Sequence, residues 1–559
     1  MTEFVLANPH SRVFEAGGVT WLVSGSDPDL FEKAVKRSCE KGLETREILL
    51  EVSAGAEEGS FAAVEDLGGG TQRTTLLKGL PSTFDLYYRV DGATVLVFDH
   101  FRNALASIPA GERIPDRDAF ADLLLFSYAY LPGSHSLVRG VGRMAPGQMV
   151  VIGPEGGTAS WQAETLALPG EGRGPGPEEA VDRLEGILLE RVETYAASYG
   201  KPAVLLSGGV DSTLVLSCLG KGASAVTIGI DTPEYVFEME YARMAASLLE
   251  AGHTLRILEE SSYRGLAREI VEALGQPTDP AFFQPMAFHE AFRGEFAFFL
   301  YGETVDSLLG FNKLAKIFDE ASLSPGERKA LGAPPEDLSG YAAQCGLSPD
   351  FETVRGILGE EVTENRLAGR LDYALGICPG LAGLGPERRR AGHAEAMSIF
   401  TGFGHIRQYI GRTRQQALSA GRTVLSPFAC RSFLDLGMSI PMPDRILKDG
   451  VVKHLAKSLL ARRLPSYPVF TRKGGSDIPR TRFLQEGPLK DIFLEEKPPR
   501  FWPEEHRGLL LRPRRESSFA ALNALGYALW QNHVLENPDF EPVPGTRSFR
   551  VETNEENPA

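Results

Sequence analysis

Apolar residues in the N-terminal part of the chain, up to about residue 165, fall in short runs separated by turns. Four of these runs, each rich in β-branched and aromatic residues and bounded by Gly, Asp or Pro, are GVTWLVSG, FDLYYRV, ATVLVFD and GQMVVIG. Runs of this kind are typical of β-strands. A further apolar stretch, DRDAFADLLLFSYAYL, is interpreted as a helix. The pattern therefore predicts a β-rich N-terminal domain that also contains a helix.

The pattern changes after LPGEGRGPGP, a Gly- and Pro-rich stretch that marks a linker. PEEAVDRLEGILLERVETYAAS then begins with Pro, carries acids in its first turn and places its apolar residues on one helical face. Apolar strand-like and helix-like segments alternate afterwards: AVLL, the helix that follows it, SAVTIGI, EYARMAASLLEAG and HTLRIL. Alternation of this kind is typical of βαβ units and a parallel sheet.

These patterns give the following domain prediction. Residues 1–167 form the β-rich domain, 168–177 the linker, and 178–543 an α/β domain with a parallel sheet and helical additions, mainly helical from 313 to about 425. Residues 544–559 are polar and are expected to be a frayed tail.

Composition restricts the class of protein. Hydrophobic residues make up 43% and charged residues 24%, as in ordinary globular proteins. The net charge of −16 argues against general binding to nucleic acid or to an anionic membrane. The five cysteines form no CxxC or CxxH pair, so neither a zinc site nor a disulfide framework is indicated. With no secretory signal and no long apolar stretch, a cytoplasmic protein is expected. Whether the chain forms a homodimer stays open.

The turn SGGVDS directly follows the first strand of the second domain and leads into a helix. A Gly-rich turn at that place exposes backbone N–H groups and the positive end of the helix dipole, which together bind phosphate. Gly208 and Gly209 allow close approach of the anion, Ser207 and Ser212 offer hydroxyls, and Asp211 can hold Mg²⁺. The alternative is a turn that merely caps a helix.

SGGxDS resembles the pyrophosphate-binding loop of the ATP pyrophosphatase families, which cleave ATP between its α and β phosphates to adenylate a substrate. The resemblance implies that Ser207, Gly208, Gly209, Val210, Asp211 and Ser212 bind the nucleotide.

LYGETVDSLLGF is similar to the SGEGADELFGGY segment of asparagine-synthetase-like enzymes. In that family the acid at the position of Asp306 binds Mg²⁺ together with the loop acid, here Asp211, and Gly302 would lie against the nucleotide. Ser307 stands where the family usually has Glu, and Tyr301 where it has Ser. A surface turn is the alternative interpretation of this segment.

Two later segments extend the resemblance. SPFACRSFLDLGMSIP is similar to the family's PFLDxxxxxxALSIP, and KDGVVKHLAKSLLARRLPSYPVFTRKGGSDIP to its G..K..L..A....LP.....R.K region. The match implies that Lys473 meets the phosphates and the negative charge that develops during adenylation, with Arg472 and Lys453 in the same anionic pocket. EMEYARMAASLLEAGH resembles a helix near the adenosine, although amphipathic helices often show such spacing.

The N-terminal domain resembles a glutamine amidotransferase domain of the Ntn type in its later half, through VFDHFRNALAS and SLVRGVGRMAPGQMV. Glutamine-dependent asparagine synthetases begin Met-Cys, whereas this chain begins Met1-Thr2 and lacks the glutamine-binding RGPD turn. Thr2 could be an N-terminal nucleophile in principle, but nothing else supports that role. We expect a degenerate domain that keeps the fold without the chemistry.

The resemblance predicts an ATP- and Mg²⁺-dependent ligase that adenylates a carboxylate and couples it to an amine of a small-molecule or peptide substrate. Three alternatives stay open: an asparagine synthetase that uses free ammonia, an intramolecular cyclase like the β-lactam and lasso-peptide macrolactam synthetases, and an inactive binding relative. Asparagine synthetases carry Glu four residues before the PF pair, where this chain has Thr423. That difference argues against aspartate and ammonia as the substrates and leaves the base that deprotonates the amine unidentified.

Overall fold

The computed structural model describes most of the chain. The described residues are 1–126, 131–168, 174–233, 236–278, 296, 298–310, 350–383, 398–399, 403, 407–471 and 479–552.

The strands in this part of the chain belong to four sheets. In chain order they are β1 Thr2–Leu6, β2 Arg12–Ala16, β3 Val19–Gly25, β4 Gly59–Gly68, β5 Thr71–Lys78, β6 Tyr87–Asp91, β7 Thr94–Phe98, β8 Val141–Arg143, β9 Gln148–Ile152, β10 Thr158–Gln162, β11 Ala203–Leu205, β12 Ser224–Ile230, β13 Gly252–Leu258, β14 Phe298–Tyr301, β15 Thr423–Leu425, β16 Leu447–Lys448, β17 Val451–Val452 and β18 Arg547–Val551.

The described α-helices are α1 Pro28–Glu40, α2 Thr45–Ala54, α3 Phe101–Ala106, α4 Arg117–Leu125, α5 Pro177–Tyr199, α6 Val210–Leu219, α7 Val236–Leu248, α8 Tyr263–Leu274, α9 Val305–Leu309, α10 Phe351–Leu358, α11 Glu360–Ile377, α12 Arg407–Ser419, α13 Arg431–Ser439, α14 Met442–Ile446, α15 His454–Arg463, α16 Arg480–Gln485, α17 Ile492–Glu495, α18 Arg507–Leu511 and α19 Ser518–Trp530. None of these helices is long and apolar enough to cross a membrane.

Two mostly antiparallel sheets pack face to face in the N-terminal region. One has the order β18-β1-β7-β6-β8, and the other has the order β10-β9-β5-β4-β3-β2. Phe4 and Val97 of the first sheet and Leu22 and Val150 of the second are buried in one apolar cluster between them. Helices α1 and α2 cover the outer face of the second sheet. The β-rich N-terminal region predicted from the turn-bounded runs is thereby confirmed.

A five-stranded parallel sheet with the order β13-β12-β11-β14-β15 forms the centre of the second region. Alternate residues of its strands face opposite sides. Val204 and Leu300 pack in the cluster that includes α5, α6 and α7, whereas Ala203 and Phe299 pack with Ala417 of α12. Helices on both faces explain why the central strands β11 and β14 are apolar.

Several predicted elements match the structure closely. SAVTIGI is strand β12, HTLRIL lies within β13, and the predicted Pro-initiated helix is α5, which ends at Gly200 with a φ of +86°. EYARMAASLLEAG overlaps α7, which begins and ends about four residues earlier. Of the segment from 313 to about 425 expected to be mainly helical, residues 313–349, 384–397, 400–402 and 404–406 lie outside the described residues. The described part contains α10, α11 and α12 and also the strand β15.

The expected frayed tail is wrong for part of its length. Strand β18 pairs antiparallel with β1 over five residues, from Thr2 opposite Val551 to Leu6 opposite Arg547. The Gln72 amide also donates to the Val551 carbonyl at 2.9 Å. Alternating apolar residues in RSFRV are the local signal for this strand, and the polar residues around them obscured it.

Candidate active site

The order of the parallel sheet reverses between β11 and β14. The chain proceeds from β11 outward to β13 on one side, and β14 and β15 then extend the sheet on the other side. In open α/β sheets, ligands bind at the carboxyl ends of the strands at such a switch point. Ser207–Ser212 span the turn after β11 and the start of α6, and Gly302–Asp306 span the turn after β14 and the start of α9. Two segments singled out from the sequence therefore meet at this crevice.

Hydrogen bonds within the first loop hold its backbone in a turn. The Ser207 amide donates to Ser212 Oγ at 3.2 Å, and the Gly209 amide donates to Ser207 Oγ at 3.2 Å. Gly209, which has no side chain, is the N-cap of α6. Asp211 and Ser212 therefore lie in the first turn of this helix, and its amino end faces the crevice.

Two close backbone contacts require glycine here. Gly208 has a φ of +67°, and a Cβ on it would lie 2.4 Å from the Ala242 amide nitrogen of α7. A Cβ on Gly302 would lie 2.7 Å from the Ser212 amide nitrogen. The second contact joins the two loops directly, because the strand β14 loop presses against the first turn of α6.

Two carboxylates converge on one ammonium group in the crevice. Lys453 Nζ lies 2.7 Å from Asp211 Oδ2 and also forms an ion pair with Asp306 Oδ1. Burial alone would lower the pKa of Lys453, but the charges of Asp211 and Asp306 raise it above its usual value. Asp306 is the second residue of the short helix α9, and Lys453 precedes α15 with a left-handed φ of +58°. A cation thus already occupies the space between the two predicted Mg²⁺ ligands.

Glu303 is a third carboxyl group at this place, and the sequence interpretation missed it. Burial, together with the charges of Asp306 and Asp211, raises the pKa of Glu303 to about 7, against the opposing effect of Lys453. The side chain also bonds to Tyr301, whose hydroxyl oxygen lies 3.3 Å from Tyr409 Oη. The signal in the sequence was a Gly-Glu pair at the end of an apolar strand.

The backbone beside Glu303 is strained. Thr304 has a φ of +90°, which β-branched residues rarely adopt, and its buried hydroxyl has no partner among the described residues. Ser307, which replaces the expected Glu, donates to the Thr304 carbonyl at 2.6 Å. Ser426 donates to the Glu303 carbonyl at 2.9 Å. These bonds hold the loop in a conformation that places Glu303 and Asp306 in the crevice.

The structure brings together the predicted residues Ser207–Ser212, Gly302, Asp306 and Lys453. Arg472 and Lys473 lie outside the described residues. In the part that is described, no three His, Cys, Asp or Glu side chains converge to hold a metal by themselves. The two aspartates would therefore need oxygens of a phosphate ligand to complete a Mg²⁺ site.

Thr2 lies in the core of the N-terminal sheets. Its side chain is fully buried, and its hydroxyl is 2.8 Å from Thr74 Oγ1. The preceding amino group of Met1 donates to the Ala93 carbonyl at 3.0 Å.

Comparisons with known proteins agree with this geometry. A family model described as asparagine synthase matches residues 183–533, well over half of the chain. No curated protein matches the sequence. The matched range includes the crevice with both aspartates and Lys453, and it begins after the two N-terminal sheets.

Proposed function

The chain belongs to the asparagine synthase family, and on this premise we propose that it is a ligase that forms amides through an acyl-adenylate. In this reaction a substrate carboxylate oxygen attacks the α-phosphate of ATP and pyrophosphate leaves. An amine then attacks the acyl carbon, and AMP leaves with the bonding electron pair. One observation carries the proposal: Asp211 and Asp306, from separate loops, converge on Lys453 beside a phosphate-type turn.

The residues of the crevice suit the triphosphate of ATP. Backbone N–H groups of the Ser207–Ser212 turn and the amino end of α6 would bind the pyrophosphate portion. Asp211 and Asp306 would hold Mg²⁺, which supplies charge neutralisation for the phosphates when bound. Lys453 supplies a positive charge between the two aspartates, which indicates that a cation is favoured at this place. Lys473 and Arg472 are proposed for the same anionic groups from the family resemblance alone.

We assign Glu303 as the base that accepts the proton of the attacking amine. A general base works best when its pKa lies near the operating pH, and the pKa of Glu303 is raised to about 7 by burial and by the two neighbouring aspartates. Tyr301 and Ser426 hold the side chain and the backbone of this residue. Sequence reasoning left the base unidentified.

We propose that the N-terminal sheets keep an amidotransferase-like fold without glutaminase activity. The buried Thr2 hydroxyl supports this view, because a nucleophile must reach its substrate. The amine would then come from ammonia or from the substrate itself. Incubation with glutamine should release no glutamate; substantial release would contradict this part of the proposal.

Tyr301 and Ser307 differ from the residues usual in the family, but they are compatible with an active site. Tyr301 packs below Glu303 and bonds to it, and Ser307 is buried with its hydroxyl on the Thr304 carbonyl. Both residues support the carboxylate loop rather than removing a group from it. This favours an active enzyme over an inactive binding relative.

The product of ATP cleavage tests the mechanism. The protein is incubated with ATP, Mg²⁺ and a panel of carboxylates and peptides, and nucleotides are separated by chromatography. AMP and pyrophosphate are the expected products. Formation of ADP and phosphate would contradict adenylation. Saturable ATP binding with no ATP cleavage in the presence of any of the substrates would favour a binding protein. Asp211→Asn should abolish AMP formation, whereas the control Asp182→Asn, on the exposed face of α5, should leave it unchanged.

A further inference from the structure

A second cleft lies where the N-terminal sheets meet helix α11. It has a volume of about 300 Å³, at the lower end of the range for ligand sites. Residues of the 132–135 loop, β9 and β10 form one wall, and Arg366, Gly369 and Tyr373 of α11 form the other. None of its lining residues belongs to the crevice that contains Asp211 and Asp306.

A fully buried acid fixes the arginine of this cleft. Arg366 donates from Nε and Nη2 to the two oxygens of Asp122, each at 2.8 Å. The Asp122 side chain is 0% exposed, so the guanidinium is held in one orientation. Arg366 Nη1 has only a weaker contact, 3.4 Å to the exposed Asp118. One N–H of the Arg366 Nη1 group has no partner among the described residues.

The arginine also determines the hydrogen position on His135. Arg366 Nη2 lies 2.7 Å from His135 Nδ1, and the guanidinium can only donate. Nδ1 therefore accepts, and the ring hydrogen is assigned to Nε2. His135 Nδ1 also lies 3.0 Å from Asp122 Oδ2. In the tautomer assigned here, Nε2 is a donor.

Two glutamines complete the polar lining. Gln148 Oε1 accepts from the Ala145 amide at 2.9 Å, which leaves its NH₂ group as a donor. Gln162 donates to the carbonyls of Pro146 and Glu164 at 2.9 and 2.8 Å, which leaves its Oε1 as an acceptor. The cleft thus presents three kinds of donor, from Arg366, His135 and Gln148, and one acceptor.

The remaining walls are aromatic and held in place. Trp161 is half-buried, with the Arg46 guanidinium 4.4 Å from its ring centre. Tyr373 packs beside Gly133, whose carbonyl accepts from Arg143 Nη2 at 2.6 Å. Arg143 thereby fixes the loop that faces α11. A preorganised cleft loses less entropy on binding.

The charge of the cleft distinguishes between two kinds of ligand that carry hydrogen-bond acceptors, a free organic anion and a peptide. A free organic anion would need net positive charge among the lining side chains, but Asp122 compensates Arg366 and Asp118 adds further negative charge, and Arg46 and Arg143 are not among the lining residues. Neutral peptide groups supply carbonyl acceptors and also an N–H for Gln162 without that requirement.

We propose that this cleft binds an extended peptide segment, with one large apolar side chain against Trp161 and Tyr373. The carbonyls of the segment accept from Arg366, His135 and Gln148, and one backbone N–H donates to Gln162. Because residues of the N-terminal sheets form one wall, this role gives those sheets a function that does not depend on glutaminase chemistry.

Gly369 offers a clean way to block the cleft. A Cβ at Gly369 would meet nothing within 4 Å, and the same is true of Gly376 on the same helix, which does not line the cleft. Gly369→Leu should fill the cleft, while Gly376→Leu adds equal bulk and equal helix propensity elsewhere. Both variants are made in the full chain, and thermal unfolding verifies that each is folded.

Binding is measured without ATP, so the result is independent of the ligase proposal. The probes are N-acetyl-L-phenylalaninamide, N-acetyl-L-leucinamide, N-acetyl-L-lysinamide and 3-phenylpropionate, followed by tryptophan fluorescence. Trp161 is half-buried whereas Trp21, Trp502 and Trp530 are buried, and Trp161→Phe identifies the source of the signal. The two apolar amides should bind saturably, and Gly369→Leu should weaken them at least about tenfold, with Gly376→Leu within about twofold.

Three outcomes would overturn the proposal. One is the absence of saturable binding by every blocked amide. Another is equal binding by the Gly369→Leu and Gly376→Leu proteins. The last is tighter binding of 3-phenylpropionate than of the phenylalanine amide, which would make the cleft an organic-acid site. If Gly369→Leu does not fold, Trp161→Ala, on the edge strand β10, replaces it and should weaken the phenylalanine amide by a similar factor.

Discussion

Replacing Glu303 by glutamine should raise stability while it lowers activity. Burial and the charges of Asp306 and Asp211 raise the pKa of this carboxyl from 4.5 to about 7. An acid with a raised pKa in the folded state holds its proton longer there than in the unfolded chain. Glu303 therefore does not reduce the free energy of unfolding below about pH 4.5. It reduces that free energy progressively as the pH rises to about 7, and the reduction stays constant above that. Glutamine cannot ionise and escapes this loss.

The magnitude follows from the shift. A difference of about 2.5 units corresponds to a ceiling of about 3.4 kcal/mol at high pH, of which about 0.8 kcal/mol is already lost at pH 5. The stability gain of Glu303→Gln over the native protein should therefore widen by up to about 2.5 kcal/mol between pH 5 and pH 8.5. Because the side chain is only partly buried, water screens part of this effect, and we expect about 1 to 2.5 kcal/mol.

Urea unfolding at the two pH values measures this change, in buffer with a chelator so that no metal neutralises the carboxylates. Glu65→Gln is the matched control. Burial would raise the pKa of Glu65, but the hydrogen bonds and charge of Arg73, with a bond from Thr45, hold it below its usual value. Glu65→Gln should therefore be less stable than the native protein by a nearly constant amount between pH 5 and pH 8.5, because the contribution of Glu65 is already present above about pH 4.5. A gap that does not widen for Glu303→Gln would refute the electrostatic argument, and unchanged amide formation would refute the role of Glu303 as base.

Three further substitutions test the crevice. Gly302→Ala places a Cβ 2.7 Å from the Ser212 amide nitrogen and should lower turnover at least about tenfold. The control Gly186→Ala, in open space on α5, should leave turnover unchanged. Equal turnover of the two variants would contradict the close contact. Lys453→Gln leaves the carboxylates uncompensated and should cost about 1–3 kcal/mol of stability, and Mg²⁺ should raise the melting temperature of the variant more than that of the native protein. Thr304→Gly removes the strain at a φ of +90° and should stabilise the protein by about 1 kcal/mol in thermal unfolding.

The parts of the site that the sequence predicts are those with local chemistry. The Ser207–Ser212 turn combines glycines, hydroxyls and a strand-to-helix transition within a few residues, so its phosphate-type geometry is visible in the chain. Asp306 and Lys453 needed the resemblance to a family, because nothing local marks a carboxylate or an ammonium group as part of a site. The structure then places Lys453 against both Asp211 and Asp306.

Glu303 and β18 could not be predicted in the same way. The pKa of Glu303 depends on two aspartates, one of them about ninety residues earlier in the chain, so its function arises only when the two loops meet. Strand β18 is short and exposed on one face, and its partner β1 lies at the other end of the sequence. The alternation in RSFRV is a local signal for a strand, but it does not identify β1 as the partner.

Strand β18 also has a consequence for the order in which the molecule can be built during translation. The edge of β1 that β18 covers stays open until residues 547–551 have left the ribosome. An N-terminal fragment ending at the linker would therefore expose a row of unpaired backbone groups, next to the buried side chains of Phe4 and Leu6. Stalled or truncated chains should be prone to edge-to-edge association, and supplying a peptide of residues 544–552 should suppress it.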